Sequence, residues 1–231
     1  MNSLELLASA EIDIEGRMPY SSNATFLVNL LVDGQVEGQA IYKPLRGERP
    51  LWDFEPGLHR RELAAYLLSE AMSLGIVPPT IIRDGPLGEG SVQWFVQADH
   101  QQHYFTIYEG REELHHRLRD FAAFDFVANN TDRKSGHVLI DADDGLWGID
   151  HGLCFAAEFK LRTVVWEFGG QPLPHHLLEA AQRVATTVPL DVAALLNDEE
   201  VEAMQQRAQW LVEKSAFPTD PSGRRYPWPL V

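Results

Sequence analysis

A chain of 231 residues with 45% hydrophobic and 10% aromatic side chains supports one large or two small lobes around a packed core, which excludes wholesale disorder. Its 34 acidic against 19 basic residues give a formal charge of -15, which repels nucleic acid and anionic membrane on average, because both are held by clustered Lys and Arg. One cysteine, Cys154, excludes an internal disulfide, and neither a signal peptide nor a membrane-length apolar run is read, so a cytoplasmic protein without stable membrane insertion is expected.

The first part reads as β-rich. A hydrophobic strand over Ala24 to Val32 meets a hairpin turn at Asp33-Gly34 and returns as Gln35 to Lys43. Pro44, Pro50 and Pro56 mark a loop running to Gly57. Leu63, Leu67, Ala71 and Leu74 fall at helical spacing, so Leu58 to Leu74 is predicted as a helix that Gly75 stops. Beyond Pro78-Pro79, short strands are expected over Thr80 to Ile82 and Ser91 to Gln97, flanking a glycine-rich turn from Gly85 to Gly90. The polar run Asp99 to His103 is read as a boundary between an N-lobe, 1–98, and a C-lobe, 99–231.

The second lobe reads as helical. One long helix is expected over Arg111 to Ala128, then a hairpin of His137 to Ile140 with Leu146 to Ile149. Helices follow near His175 to Thr187 and Asp198 to Ala216, the second with Asn197 and Glu200 at capping-box spacing. Four prolines make Phe217 to Val231 an extended tail. A strand-rich lobe with one helix, followed by a mainly helical lobe with one hairpin, is an α+β, two-lobed, protein-kinase-like layout. Nucleotide would bind in the cleft between the lobes.

ATP-dependent phosphoryl transfer is catalysed mostly by positioning and charge neutralisation, and the chain holds residues suited to both. Lys43, at the end of a strand, would neutralise nucleotide phosphates, with Glu62 in the next helix holding it. Asp132, in the turn Asn129-Asn130-Thr131-Asp132-Arg133, would orient an acceptor hydroxyl or form a structural Asx turn. Arg133 would pair with a carboxylate or contact the acceptor, while Asn129, Asn130 and Asp125 would brace the loop. Asp150, before Gly152, would hold a metal, with the glycine relaxing the backbone. The loop Arg17 to Thr25 sits where kinases cover the phosphates with glycines, yet it has none after Gly16. Ser21, Ser22 and Asn23 would donate hydrogen bonds instead, or form an ordinary polar turn.

Phe124 to Ile140 followed by Trp147 to Gly152, with Tyr42-Lys43-Pro44, Glu62 to Tyr66 and Gly75 to Thr80 ahead of them, resembles the catalytic core of the phosphatidylinositol 3-/4-kinase-like superfamily. That superfamily includes the type II phosphatidylinositol 4-kinases and the HipA kinases, and the resemblance covers roughly Phe26 to Phe155. It implies ATP with Mg²⁺ or Mn²⁺ as cofactors, a phosphate-contacting Lys43, a salt-bridged Glu62, a catalytic Asp132 and a metal-chelating Asp150. Where the superfamily has an asparagine five residues after the catalytic aspartate, this chain has His137. Mg²⁺ prefers oxygen ligands and imidazole suits Mn²⁺, so His137 would bind Mn²⁺, contact a phosphate, or leave one metal site weak.

The acceptor stays open between a lipid, a protein and a small molecule. Lys160 and Arg162, in the segment Phe155 to Phe168, would read an anionic group, or Phe159, Leu161 and Trp166 there would pack as core. Two other readings also stay open. The missing glycine loop and His137 suit a nucleotide-binding pseudokinase acting through a protein partner, and reversed nucleotide binding would make an adenylyl transferase. The pairs His115-His116, His175-His176 and His100/His103 lack the spacing and cysteine partners of a zinc site.

Overall fold

The computed structural model describes residues 1–19, 21 and 23–230. Five antiparallel strands, β1 (Glu11–Arg17), β2 (Phe26–Val32), β3 (Gln35–Pro44), β4 (Thr80–Gly85) and β5 (Gly88–Trp94), form one sheet in the order β1-β2-β3-β5-β4. The two-residue period of a strand sorts β3 by face. Ala40 and Tyr42 are buried with Val28, Leu30 and Val92 in a small core, which the helix α1 (Ser3–Ser9) covers with Leu6 and Leu7. Ile41 and Lys43, which alternate with them in sequence, face the opposite side and line a cleft.

The glycine-rich segment expected as a turn is mostly strand. Gly85 pairs with Gly88 across a two-residue connection, and Gly90 pairs with Pro44. A Cβ on Gly90 would lie 2.4 Å from the Lys43 carbonyl oxygen, and one on Gly85 would lie 2.9 Å from the Tyr42 ring. These glycines let β5 and the hairpin approach the end of β3, and so seat the strand that carries Lys43.

After a 3-10 turn (Leu45–Gly47), helix α2 (Leu58–Ala71) leads into a second, larger core. That core also holds α3 (Tyr104–Gly110), α4 (His115–Ala128), α5 (His175–Thr186), α6 (Leu190–Ala193) and α7 (Asp198–Lys214). The helix expected from Arg111 therefore starts four residues later. Arg111 has φ -135 and ψ 66, outside the helical region, and a 3-10 turn (Glu112–Leu114) separates α3 from α4. Tyr104 and Ile107 are buried, so tertiary packing holds the short α3. Asn197 caps α7 as its spacing implied, with both arms of the Asn197–Glu200 capping box formed.

The hairpin of β6 (Val138–Ile140) and β7 (Leu146–Gly148) projects from the end of α4. The proline-rich tail lies along the turn after α4 and the segment that follows Asp150: the Leu230 carbonyl accepts from Ser135 N–H at 2.8 Å, and the Arg225 carbonyl accepts from Thr163 N–H at 3.1 Å. Among the described residues no helix is long and apolar enough to cross a membrane.

Candidate active site

A cleft of about 560 Å³ lies between the Lys43 face of the sheet and the turn-and-hairpin region after α4. Lys43 and Ile41 line it from the sheet, and Asp132, Lys134, His137 and Asp150 line it from the other side. Ser21 and Asn23 line it as well, whereas Ser22 lies outside the described residues. Asn23 Oδ1 accepts the Arg49 N–H at 2.9 Å, so its acceptor serves the neighbouring loop.

Lys43 joins two carboxylates. Its Nζ lies 2.5 Å from Glu62 Oε1 and 2.9 Å from Asp150 Oδ1. Burial works against the Lys43 charge, but the Asp150 and Glu62 carboxylates outweigh it and raise its pKa above the ordinary lysine value. The same ammonium, against an opposing burial penalty, holds the Asp150 carboxyl well below the usual carboxylate range. Glu62 also reaches across with its second oxygen, accepting His151 N–H at 3.0 Å. One buried glutamate on α2 thereby fixes the strand lysine and the turn that carries Asp150.

Asp150 itself sits at φ +61, a left-handed conformation uncommon for a residue with a side chain. Gly152, expected to relax the backbone, is not among the positive-φ glycines. The unusual dihedral thus falls on the aspartate, and short polar side chains tolerate it best. Its second oxygen is 3.6 Å from His137 Nε2, while His137 Nδ1 accepts the Lys134 N–H at 3.4 Å. Burial pushes the His137 imidazole down to about 4, so it is neutral at pH 7.

Asp132 is half-buried and lies 2.9 Å from Lys134 Nζ. Burial raises its pKa, against the opposing pull of Lys134. Its N–H donates to Asn130 Oδ1 at 3.0 Å, the Asx-type turn that Asn-x-Asp spacing allows. Asn129, at φ +50, caps α4 and donates to the carbonyls of Ala156 and Glu158. Both asparagines brace the turn.

Arg133 lies beneath the cleft and does not line it. Its side chain is 0% exposed, and so is that of Asp125, which accepts from Arg133 Nε and Nη2 at 2.9 to 3.2 Å. Arg133 Nη1 donates to the carbonyls of Ile149 and His137, and Nη2 lies 2.7 Å from His151 Nε2. Of its two expected roles, pairing with a carboxylate is the one the geometry realises, since a fully enclosed guanidinium cannot touch an acceptor. Asp125 further accepts from Asn130 and from Thr163 Oγ1. This knot ties α4, the turn, the stretch after β7 that carries Asp150 and the following segment together.

In that following segment Leu161 is buried and Trp166 packs against the core, whereas Phe159 is half-exposed with Arg225 over its ring. Lys160 sits among Asp53, Glu158 and the Trp52 ring, and Arg162 is exposed. Among the described residues no group of three or more His, Cys, Asp or Glu gathers as a metal site. Lys134 was not singled out from the sequence. Its position two residues beyond Asp132 in Asp132-Arg133-Lys134 was the available signal.

No family model matches the chain. Protein Rv2133c of Mycobacterium tuberculosis is 38% identical over an alignment of 261 positions, covering 97% of this chain and 94% of that protein. The chain belongs to the Rv2133c family. The crystal structure of the Helicobacter pylori proinflammatory kinase CtkA superposes on this Rv2133c-family member with a TM-score of 0.50, over 90% of this chain and 93% of that chain, at 12% identity. At that identity the likeness is one of fold. The Rv2133c-family chain therefore has the α+β, kinase-like fold expected from its layout.

Proposed function

We propose that this protein is an ATP-dependent phosphotransferase of the phosphatidylinositol 3-/4-kinase-like type, moving the γ-phosphate to a hydroxyl acceptor. The observation that carries the reading is Lys43 bridging Glu62 and Asp150, with Asp132 on the same cleft. Lys43 would meet nucleotide phosphates, held by Glu62, and Asp132 would accept a hydrogen bond from the acceptor hydroxyl and aim its oxygen. Residues 1–98 would form the lobe that grips phosphate, and residues 99–231 the lobe that carries Asp132 and Asp150. The compartment that suits such chemistry, with one thiol and no disulfide, is the cytoplasm.

The residues present fit a divalent ion. Asp150 supplies carboxylate oxygens and His137 a neutral imidazole, 3.6 Å apart, and phosphate oxygens and water would fill the other positions. When bound, Mg²⁺ or Mn²⁺ would neutralise charge that develops on the transferring phosphate. His137 would first have to present Nε2 as an acceptor, because Nδ1 now takes the Lys134 N–H.

Nucleotide products test the reading on wild type and Asp132→Asn, with Mg²⁺ or Mn²⁺. ADP release that falls roughly a hundredfold or more in Asp132→Asn is expected, the usual size of a lost proton-accepting group. Release of AMP or pyrophosphate would replace it with adenylyl transfer, and bound but unconsumed ATP would leave a pseudokinase.

A further inference from the structure

The loop ahead of β2 lacks the glycines that would bring backbone N–H groups to a polyphosphate, so the cleft needs another cation there. Among the described residues, seven charged ones other than histidine line the cleft: Glu48, Glu62, Asp132 and Asp150 against Lys43, Arg49 and Lys134. Six of them are committed. Lys43 holds Glu62 and Asp150, and Lys134 holds Asp132. Glu48 accepts the N–H groups of Gly57 and His59 and lies 3.3 Å from His59 Nδ1. Arg49 is the exception: among the described residues no carboxylate lies within ion-pair distance of it.

The backbone around Arg49 is nevertheless fixed. Its N–H donates to Asn23 Oδ1 at 2.9 Å, and two residues earlier the Gly47 carbonyl accepts the Ala24 N–H at 3.0 Å. A Cβ on Gly47 would lie 2.4 Å from Ala24 Cβ, so only glycine lets the two loops meet this closely. The loop after β3 is thus stapled to the loop before β2, and the residue it delivers to the cleft is an arginine. An uncommitted guanidinium on a fixed backbone is suited to planar, two-pronged recognition of phosphate oxygens.

We infer that Arg49 is a phosphate-binding residue of this cleft, doing with a side chain what a glycine-rich loop does with backbone amides. The inference rests on the nucleotide reading of the cleft. It assigns Asn23 and Gly47 the role of positioning Arg49, so that Asn23 acts through its acceptor oxygen, not as a donor to the ligand.

Calorimetric titration of wild type, Arg49→Ala and Arg49→Lys with ATP plus Mg²⁺, and with adenosine, tests it. Arg49→Ala is expected to bind ATP roughly tenfold to a hundredfold more weakly, the usual effect of removing a charge-assisted hydrogen bond, with Arg49→Lys in between. Adenosine affinity should stay within twofold in all three, which a collapsed cleft would not allow. Arg49→Ala binding ATP as wild type does would overturn the assignment alone, as would equal losses for ATP and adenosine. A wild type that binds no ATP would overturn the nucleotide reading and this assignment with it.

Discussion

Two charged assemblies lie one above the other in this molecule, and they are built to opposite rules. Beneath the cleft, Arg133 and Asp125 are both 0% exposed, and Asp125 additionally holds Asn130 and Thr163. In the cleft, the Lys43 side chain is 21% exposed and Asp150 is 53% exposed. A fully enclosed pair that spends its hydrogen bonds on its neighbours has no charge left to offer a ligand, and it fixes loops relative to one another. A partly wet pair can exchange partners, because water compensates whichever charge is released. The contrast teaches that the deeper pair fixes geometry, whereas the upper one keeps the freedom to change partners that the proposed nucleotide site requires.

Removing one half of the deeper pair gives the largest expected effect. Arg133→Ala or Asp125→Ala should lower the unfolding free energy by about 3–5 kcal/mol, since each leaves an uncompensated buried charge. Chemical denaturation measures this, and a loss under about 1 kcal/mol would break the comparison. Acid comes next. His137 titrates near 4 when folded but near about 6.5 when unfolded, so the unfolded chain takes up its proton first as pH falls. Stability should therefore be full above about pH 6.5 and decline toward pH 4, by on the order of 2–3 kcal/mol from this residue. Burial also holds His151 well below its ordinary value, which adds in the same direction. Urea titrations at stepped pH check the sign, and stability that rises on acidification in that window would contradict it.

Asp150→Ala should cost clearly less stability than the about 3–5 kcal/mol of the deeper pair, because its carboxylate is half in water. A cost matching that of Asp125→Ala would erase the distinction between the two assemblies. His137→Asn should leave stability nearly unchanged and shift the metal preference of nucleotide binding from Mn²⁺ toward Mg²⁺. Identical metal profiles would remove His137 from the metal site.

Much of this arrangement was legible in the chain because strand alternation and helix periodicity are local. Lys43 on the cleft face follows from the period of β3, and Asn197 and Glu200 announced the start of α7. The order Lys43, Glu62, Asp132, Asp150 also survives as one cleft. What escaped notice depends on packing between distant segments. α3 is seven residues with two buried anchors, too short for its period to declare itself. The glycines from Gly85 to Gly90 read as a turn, because sequence does not say that Tyr42 and Pro44 lie against them. Arg133 stayed open between a carboxylate and the acceptor, because sequence does not say that Asp125, eight residues earlier, encloses it. Arg49 lies in an irregular proline-flanked loop, where no periodicity says which way a residue faces.

The most direct test of the central claim is a thermal-shift titration with ATP plus Mg²⁺ or Mn²⁺ on wild type and Asp150→Ala. A ligand that binds only the folded state raises the melting temperature by mass action. A metal-dependent rise in wild type that disappears in Asp150→Ala is the predicted result. No rise in wild type with either metal, or an equal rise in both proteins, would contradict a nucleotide site organised around Asp150.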